Sequence, residues 1–362
     1  MINEKTVCLN LIVTQKCNLN CVYCQSDKSF SSTMDFSVSK RYIDIFLQKT
    51  QCSHPTVAFL GGEPFMAFKL LREIVEYVKK EYPHKSVRYS LVTNGTLVHG
   101  TVQEWIKNHV DSVQVVLSLD SLDDAHDKNR CGSLRKIDID FFVSLPKPII
   151  NTVLTPSTVS SMAENMRALH EKGFLVKCYL EDGGQWSEDS LGVIEGQLVI
   201  LVNYYLEHPE VYPITMLNQS FYMLYEERIE RCGTEDYFQV SVTSDGTEYV
   251  CHRCSPFENH GSWKIPDEYL TLLNANNLYD KCDECFLSKI CNSCPASNAL
   301  LKNSAHGASI ACKLRKLFFK ANAYMYVQMM LKGIKYVALK HFSNEQLVRT
   351  MQVSNRILDE LI

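Results

Sequence analysis

The amino-acid sequence predicts an α/β fold whose parallel strands form either an open sheet or a barrel. Runs typical of buried strands alternate six times with runs of helical apolar spacing across residues 7–210. A helical crossover between successive strands yields a parallel sheet, because such crossovers are right-handed. Polar and glycine-rich residues follow several predicted strands, at the edge where parallel α/β folds collect their active sites.

The predicted strands are short apolar runs at residues 7–13, 56–60, 87–92, 113–119, 149–154 and 174–180. Helices are predicted from apolar spacing of three and four residues, at 37–50, 68–82, 101–105, 137–145, from 161 onward, 191–206, 221–231, 314–332 and 346–361. Thr101 and Ser161 each stand three residues before a glutamate, which predicts a capping box at each helix start.

Composition excludes some classes of partner. The 362 residues carry a net charge of −4 and no basic run, which disfavours nucleic acid as the main partner because phosphate neutralisation needs clustered Lys and Arg. No stretch approaches eighteen consecutive apolar residues, and the N-terminus does not resemble a signal peptide. We therefore expect a soluble cytoplasmic protein without a membrane partner.

The fifteen cysteines are unevenly placed. Three lie in one loop at 17–24, and eight lie between Cys232 and Cys312. The absence of a secretory signal disfavours disulfides, so metal or cluster ligation is the leading explanation. The remaining four are expected to be structural: Cys8, Cys52, Cys131 and Cys178.

The first cysteine group follows the first predicted strand with the spacing Cys17-x3-Cys21-x2-Cys24. Three thiols from one loop differ from the two separated pairs of usual zinc sites and suit a [4Fe-4S] cluster with one open iron. Two alternatives stay open at this point. The cysteines could be buried small side chains, although Asn18 and Asn20 make the loop polar, or they could form a zinc site completed from elsewhere.

With Tyr23 before the last cysteine, this loop resembles the motif of radical S-adenosylmethionine (SAM) enzymes. The resemblance implies a partial (β/α)6 barrel and a SAM molecule chelated to the open iron. It further implies reductive cleavage of SAM to a 5′-deoxyadenosyl radical that removes a substrate hydrogen. The reducing electron would come from a donor such as flavodoxin or ferredoxin.

Gly61-Gly62-Glu63-Pro64, after the second predicted strand, resembles the motif that positions the SAM amino group in that family. Two glycines let backbone approach a ligand closely, and a carboxylate can accept a charge-assisted hydrogen bond from an ammonium. Without its context the segment could equally be a glycine-rich turn ended by proline.

Further cofactor contacts are implied by position. Tyr23 resembles the residue whose backbone contacts the adenine, whereas Asn94, Ser118 and Asp120 stand where the family places polar contacts to SAM. Arg130 ends a segment resembling the family's H-D-x-x-R and would pair with the SAM carboxylate. Turn residues and a solvated surface arginine are the alternatives.

The second cysteine field resembles the SPASM extension of radical SAM enzymes, which carries two auxiliary [4Fe-4S] clusters and brings the total to three. A β-hairpin is predicted between its first two cysteines, with a turn at 244–246. By position, one cluster would be held by Cys282, Cys285, Cys291 and Cys312, and the other by Cys232, Cys251 and Cys294.

The resemblance supplies no fourth ligand for that other cluster, because Phe238 stands where many members have a cysteine. Either Cys254 substitutes, or one iron stays open. The spacing of two residues between Cys291 and Cys294, where three is common, is a second departure. A zinc ribbon formed by Cys251, Cys254 and the pair at 282 and 285 is the alternative.

The resemblance implies an enzyme that modifies a peptide or protein substrate, for which we expect a thioether, carbon–carbon or carbon–oxygen crosslink. Epimerisation, desaturation and the maturation of a small redox cofactor from a peptide stay open. Sulfatase-maturing members place an aspartate base after the cysteine that corresponds to Cys251; here His252 occupies that position and is the candidate base. The alternatives are a sulfatase-maturase-like enzyme, a SAM-dependent dehydrogenase of a small molecule, and a zinc-stabilised binding protein.

The expected organisation is a radical SAM partial barrel at 1–210, a bridging helix at 211–231, a SPASM domain at 232–312 and C-terminal helices at 313–362. About six residues precede the first predicted strand, whereas peptide-modifying relatives often begin with a leader-recognition domain. We therefore expect either leader recognition by a separate protein or by the enzyme body, or a substrate that is not a leader peptide.

Overall fold

A computed structural model describes residues 1–27, 29–225, 238–255, 284–291 and 307–361. The chain divides into two compact units. The first contains the described residues of Met1–Leu119, His126–Ile149 and Cys232–Leu270. The second contains those of Asp120–Ala125, Ile150–Arg231 and Thr271–Ile362.

The strands are β1 Cys8–Thr14, β2 Thr56–Gly61, β3 Arg88–Thr93, β4 Val113–Ser118, β5 Ile149–Leu154, β6 Leu175–Leu180, β7 Gln239–Val242 and β8 Glu248–Tyr249. The α-helices are α1 Phe36–Lys49, α2 Phe68–Glu81, α3 Thr101–Lys107, α4 Asp124–Asn129, α5 Ile139–Val143, α6 Met162–Glu171, α7 Glu188–Glu207, α8 Gly307–Lys332 and α9 Asn344–Glu360. The predicted α/β fold with a mainly parallel sheet is confirmed.

In the first unit the sheet has the strand order β4-β3-β2-β1-β7-β8. β1 is central and runs parallel both to β2 and to β7. β7 and β8 form the predicted hairpin and pair antiparallel. Because β1 to β4 are parallel, the loops that follow them leave the same edge of the sheet, which brings together segments far apart in sequence.

Both faces of the central strand β1 are buried. Leu9, Leu11 and Val13 share one face and are fully buried, whereas Asn10 and Ile12 on the other face are each 5% exposed. The apolar faces of α1 and α2 cover the unit. Burial on both faces is typical of a strand in a parallel sheet.

The second unit contains β5 and β6 as neighbouring strands and the long helices α7, α8 and α9. Its largest fully buried side chains are aromatic and use their hydroxyl groups: Tyr205 donates to or accepts from His170, Tyr326 donates to Asn218, and Tyr336 donates to the Leu206 carbonyl. Within the described ranges, no helix is both long and apolar enough to cross a membrane.

Several local predictions were wrong. Thr101 does not cap α3, because Gly100 is the N-cap, and Ser161 occupies the N-cap of α6 without making a side-chain cap bond. Capping boxes occur instead at Ser187 and Ser343, where the residue three positions later is Ser190 or Gln346. The helix predicted at 137–145 is the shorter α5, capped by its preceding aspartate.

Two further differences concern helix extent. The segment that contains α4 was not predicted to be helical. The helix predicted at 221–231 begins as a 3₁₀-helix at Phe221–Tyr225, and its remainder lies outside the described residues.

Candidate cofactor site

Strand β1 leads directly into the cysteine loop, and Leu19 anchors that loop in the core. Cys17 and Cys21 are half-buried, whereas Cys24 is exposed. The pKa of Cys21 is raised to about 11, chiefly by burial; the Arg130 guanidinium opposes the rise, and the nearby thiols of Cys24, Cys17 and Cys131 contribute to it. The three thiols are therefore close enough to act on one another electrostatically.

The donor set of this loop fits an iron–sulfur cluster. Among the described residues, no group of three His, Cys, Asp or Glu side chains is placed to hold one metal ion. Ligands of a four-iron cluster bind different irons, so their sulfur atoms need not converge on one point. Three thiols on one polar loop, with no fourth local ligand, match a cluster that keeps an open iron.

Gly61 and Gly62 are required by contacts with the start of the cysteine loop. Gly61 has φ +146°, and a Cβ there would lie 1.9 Å from the carbonyl oxygen of Thr14. A Cβ on Gly62 would lie 2.4 Å from the carbonyl oxygen of Lys16. The Gly62 amide donates to the Thr14 carbonyl at 3.0 Å, and the Glu63 amide donates to the Lys16 carbonyl at 2.9 Å.

This finding sharpens the sequence prediction about the two glycines. They were expected to let backbone approach a ligand, but the close approach in the described structure is to the backbone of residues 14–16. Their first effect is thus to fix the loop that carries the thiols against the end of β2.

Glu63 is 1% exposed and its carboxylate already has three donors. Oε1 accepts from the Phe65 amide at 3.1 Å and from the Thr93 hydroxyl at 2.9 Å, and Oε2 accepts from the Asn94 amide at 2.8 Å. Burial raises the pKa of this carboxyl, and the hydrogen bonds oppose that rise. Since Oε2 has a further lone pair, it could accept one more hydrogen bond, and the bond from the SAM ammonium stays a prediction.

Asn94 contacts the cysteine loop through its side-chain amide. Its Nδ2 donates to Asn18 Oδ1 at 2.9 Å and lies 4.0 Å from Cys17 Sγ. Asn18 in turn donates to Thr96 Oγ1 at 2.7 Å. Asn18 and Thr96 were not predicted as site residues, although the position of Asn18 between two cysteines is a signal that could have identified it.

Arg130 is 6% exposed, which excludes the alternative of a solvated surface arginine. Its guanidinium carbon lies 5.2 Å from the centroid of the Tyr23 ring, so that the cation faces the π-system. The predicted cofactor residues Tyr23 and Arg130 are therefore in contact with each other. Pairing of Arg130 with the SAM carboxylate stays a prediction.

Ser118 is the last residue of β4, and Asp120 follows two residues later. Ser118 is half-buried, and Asp120 is 4% exposed. Asp120 belongs to the second unit, where its Oδ1 accepts from the Val153 amide of β5 at 3.0 Å. This contact gives Asp120 a structural role, and its contact with SAM stays a prediction.

Cys251 and Cys254 are both buried in the first unit; Cys251 directly precedes the short 3₁₀ turn His252–Cys254, and Cys254 ends it. The pKa of Cys251 is lowered to about 4, mainly by a hydrogen bond with the Cys254 side chain; burial opposes this change, and His252, whose Nδ1 lies 3.8 Å from the sulfur, contributes to it. Arg253 donates to Gln25 Oε1 at 2.7 Å and so ties this turn to the residue after Cys24.

Three other predicted ligands lie in the second unit. Cys285 and Cys291 are half-buried at the two ends of a turn-rich segment, and Cys312 is half-buried on α8. The Cys291 amide donates to the Leu287 carbonyl at 2.8 Å. The predicted ligands Cys232, Cys282 and Cys294 lie outside the described residues.

Residues 11–181 match the family described as the Radical SAM superfamily. An uncharacterized protein of Methanocaldococcus jannaschii is 36% identical over 115 residues, which cover 32% of this chain and 39% of that protein. The radical SAM cyclopropyl synthase TigE of Paramaledivibacter caminithermalis is 28% identical over 146 residues, 36% of this chain and 30% of the relative. The match thus spans well under half the length of either curated relative.

A GTP 3′,8-cyclase of Clostridium botulinum is 27% identical over 269 residues, covering 67% of this chain and 80% of that enzyme. Among solved structures, one similar fold is that of anSMEcpe with bound AdoMet and Cp18Cys peptide, with a TM-score of 0.70 and 19% sequence identity. The similarity covers 91% of this chain and 100% of the anSMEcpe chain. The structure of Streptococcus suis SuiB bound to precursor peptide SuiA has a TM-score of 0.56 at 16% sequence identity. This similarity covers 84% of this chain and 74% of the SuiB chain. At these identities the two structures show a shared fold.

Proposed function

We propose, from the match of residues 11–181 to the radical SAM superfamily, that this chain is a radical SAM enzyme that modifies a peptide or protein substrate. The observation that carries the proposal is the fixation of the three-cysteine loop on the Gly61-Gly62-Glu63 segment by two backbone hydrogen bonds. It joins the two motifs that the superfamily uses for its cluster and for SAM.

In the proposed site, Cys17, Cys21 and Cys24 hold a [4Fe-4S] cluster, which supplies one-electron reductive cleavage of SAM and thereby a radical that removes a substrate hydrogen. The chain's own contribution is to orient these groups. Glu63 offers the free lone pair of Oε2 to the SAM ammonium, and the buried Arg130 offers a cation to the SAM carboxylate. Tyr23, Asn94, Ser118 and Asp120 complete the proposed set of SAM contacts.

For the second cysteine field we propose a SPASM domain with two auxiliary clusters. One is held by Cys282, Cys285, Cys291 and Cys312. The other is held by Cys232, Cys251 and Cys294 with Cys254 as its fourth ligand. The burial of Cys254 beside Cys251, and the hydrogen bond between their side chains, support that last assignment over an open iron.

A peptide or protein substrate is supported by two structures that share this fold and contain bound peptides, anSMEcpe and SuiB. We propose that the modification is a crosslink between side chains, in which the auxiliary clusters accept the electron released as the new bond forms. His252 is the proposed proton acceptor. Its contact with Cys251 Sγ places the ring beside a proposed cluster ligand, so His252 would respond to that cluster's charge.

A small-molecule substrate is the second candidate function. The similarity to GTP 3′,8-cyclase, which extends over 67% of this chain, favours it. Mass spectrometry separates the two candidates: a crosslinking enzyme removes two hydrogens from a candidate precursor peptide incubated with it, whereas a small-molecule enzyme leaves that peptide unchanged.

Anaerobic reconstitution tests the proposed enzyme class. We expect about 12 iron atoms per chain and absorbance near ~400 nm, corresponding to three cubane clusters, and formation of 5′-deoxyadenosine from SAM and dithionite. Replacing Cys17, Cys21 and Cys24 together by Ala should leave about 8 iron atoms and abolish 5′-deoxyadenosine. Bound zinc without this absorbance would contradict the proposal and favour a zinc-stabilised binding protein.

A further inference from the structure

Helix α4 ends in a conformation that usually requires glycine. The Arg130 amide donates to the His126 carbonyl at 2.8 Å, and the Gly132 amide donates to the Asp127 carbonyl at 3.0 Å, which closes the helix end by a six-residue turn. The residue inside such a turn adopts the left-handed conformation. Here that residue is Cys131, with φ +57°, the only non-glycine residue of the described chain at positive φ.

A cysteine in the left-handed region is unfavourable because its Cβ crowds the following carbonyl oxygen. Residues that break a local preference tend to have a compensating contact or a function. The Cys131 thiol has such a contact: its Sγ lies 2.9 Å from the carbonyl oxygen of Asn20, to which it donates a hydrogen bond. Asn20 is the residue directly before Cys21.

The two residues before Cys131 contact the same loop. The buried Asn129 accepts a hydrogen bond from the Val22 amide at 2.9 Å through its carbonyl oxygen. Arg130 lies over the Tyr23 ring. Three consecutive residues at 129–131 therefore contact three different residues of the 20–23 segment, on both sides of Cys21.

We propose that residues 129–131 form a clamp that holds the cysteine loop in the conformation needed for its cluster, with Cys131 as a positioning residue. This inference rests on the proposed function for the purpose of the loop, but the clamp itself consists of contacts within the chain. The sulfur of Cys131 acts through its bond to Asn20 and touches no substrate.

The clamp explains why the left-handed position carries a thiol. Glycine would adopt the same backbone conformation more easily but could not bond to Asn20. The Asn20 carbonyl belongs to the peptide that leads into Cys21, so loss of its donor frees the main chain beside a proposed ligand. Asn129 and Arg130 remain in place in such a variant and hold the loop only through Val22 and Tyr23.

Four single variants distinguish the effect of the Cys131–Asn20 hydrogen bond from that of the backbone strain at residue 131. Cys131→Ala keeps the strain and removes the donor. Cys131→Ser keeps the strain and retains a hydroxyl donor. Cys131→Gly relieves the strain and removes the donor, which also makes it the variant most certain to fold. Cys52→Ala, at a half-buried cysteine outside the site, is the control.

The first measurement uses the full chain without its clusters. Hydrogen exchange of the peptide covering residues 20–24 reports the Val22 amide and its neighbours. We expect exchange to accelerate about fivefold in Cys131→Ala and Cys131→Gly, as loss of one hydrogen bond implies, and to stay within about twofold of wild type in Cys131→Ser and Cys52→Ala. Wild-type exchange in Cys131→Ala would overturn the proposal, as would recovery in Cys131→Gly, because the role would then be backbone strain alone.

The second measurement uses the reconstituted enzyme. Only the cluster at the cysteine loop should give an electron paramagnetic resonance signal that changes when SAM is added. We expect this signal to disappear about fivefold faster in the presence of an iron chelator for Cys131→Ala and Cys131→Gly than for Cys131→Ser. Equal rates in the Ala and Ser variants would contradict the clamp.

The two measurements distinguish a failure of the clamp from a failure of the proposed function. If the wild-type chain forms no SAM-responsive cluster, the proposed function fails, while the exchange data still decide whether residues 129–131 hold the loop. If the cluster forms but all variants lose it at the wild-type rate, the clamp fails and the proposed function stands.

Discussion

Glu63 and Gly62 illustrate how single residues in this site serve the protein fold and the proposed cofactor together. The buried Glu63 carboxylate joins the segment after β2 to the segment after β3, through bonds to Phe65, Thr93 and Asn94. Gly62 lets the same segment contact the start of the cysteine loop. Both residues were identified from the sequence for contacts with SAM, with a glycine-rich turn as the alternative, and their contacts within the chain were not predicted.

We expect Glu63→Gln to lower the free energy of unfolding by about 1–3 kcal/mol, because the amide NH₂ would face the donors that the carboxylate now accepts from. Urea unfolding measures this loss. Glu76→Gln is the matched control: Glu76 is exposed, lies 4.0 Å from Arg72, and should change stability by less than about 0.5 kcal/mol. Equal effects of the two changes would show that the buried hydrogen bonds contribute little.

Gly62→Ala should disturb the cysteine loop, because its Cβ would meet backbone oxygen atoms that cannot rotate away. We expect the yield of 5′-deoxyadenosine to fall at least about tenfold, corresponding to a loss of about 1.4 kcal/mol in productive geometry. Gly192→Ala is the control, since the space around that helical glycine is open. It should leave the yield unchanged and stabilise α7 by up to about 1 kcal/mol.

At the scale of elements, the second unit depends on a polar contact inside a largely apolar packing of α6 and α7. His170 Nδ1 lies 3.2 Å from the Phe174 carbonyl oxygen, and Nε2 lies 3.0 Å from the Tyr205 hydroxyl. The Tyr205 hydroxyl also accepts from the Ile214 amide at 3.1 Å. Nδ1 can donate and Nε2 accept only if the imidazole is neutral. Burial lowers the pKa of His170 from 6.5 to about 4, in agreement with that arrangement.

The lowered pKa predicts a pH-dependent contribution to stability. Above pH 6.5 the imidazole is neutral in both states and the contribution is complete; as the pH falls towards 4, the unfolded chain takes up the proton first and the folded state loses about 2 to 3 kcal/mol. Urea unfolding of wild type and His170→Gln at pH 7 and pH 4.5 should show this difference shrinking. His84→Gln, at an exposed histidine, should retain the wild-type pH dependence.

At the scale of the whole molecule, the two cysteine fields are proposed to act in sequence, one as radical source and the other as electron acceptor. The Arg253–Gln25 hydrogen bond joins Cys251 and Cys254 to the end of the first cysteine loop within the first unit. The fields should nevertheless be separable, because their proposed ligands do not overlap.

Replacing Cys251 and Cys254 by Ser should therefore lower the iron content from about 12 to about 8 atoms while the chain still forms 5′-deoxyadenosine from SAM. Substrate turnover should fall, because one of the two proposed electron acceptors would be lost. Iron analysis and chromatography of the SAM products measure the two effects. Loss of 5′-deoxyadenosine in this variant would show that the fields are not independent.

The sequence by itself determined the alternation of strands and helices, the placement of the motifs after parallel strands, and the residue types of the cysteine loop. These features are local: apolar periodicity and residue spacing are complete within a single segment. The parallel pairing of β1 with β2 and of β2 with β3 follows from them, because helical crossovers leave few alternatives.

Only the tertiary structure decided which side chains meet across those segments. Cys131 was expected to be a structural cysteine, but its contact was not predicted: the side chain is exposed and bonded to Asn20, 111 residues away in sequence. The contacts of Gly61 and Gly62 with residues 14–16 were likewise not predicted from the sequence. Such contacts depend on strand register and on the direction in which each loop leaves the sheet, and neither quantity is encoded in the periodicity of any one segment.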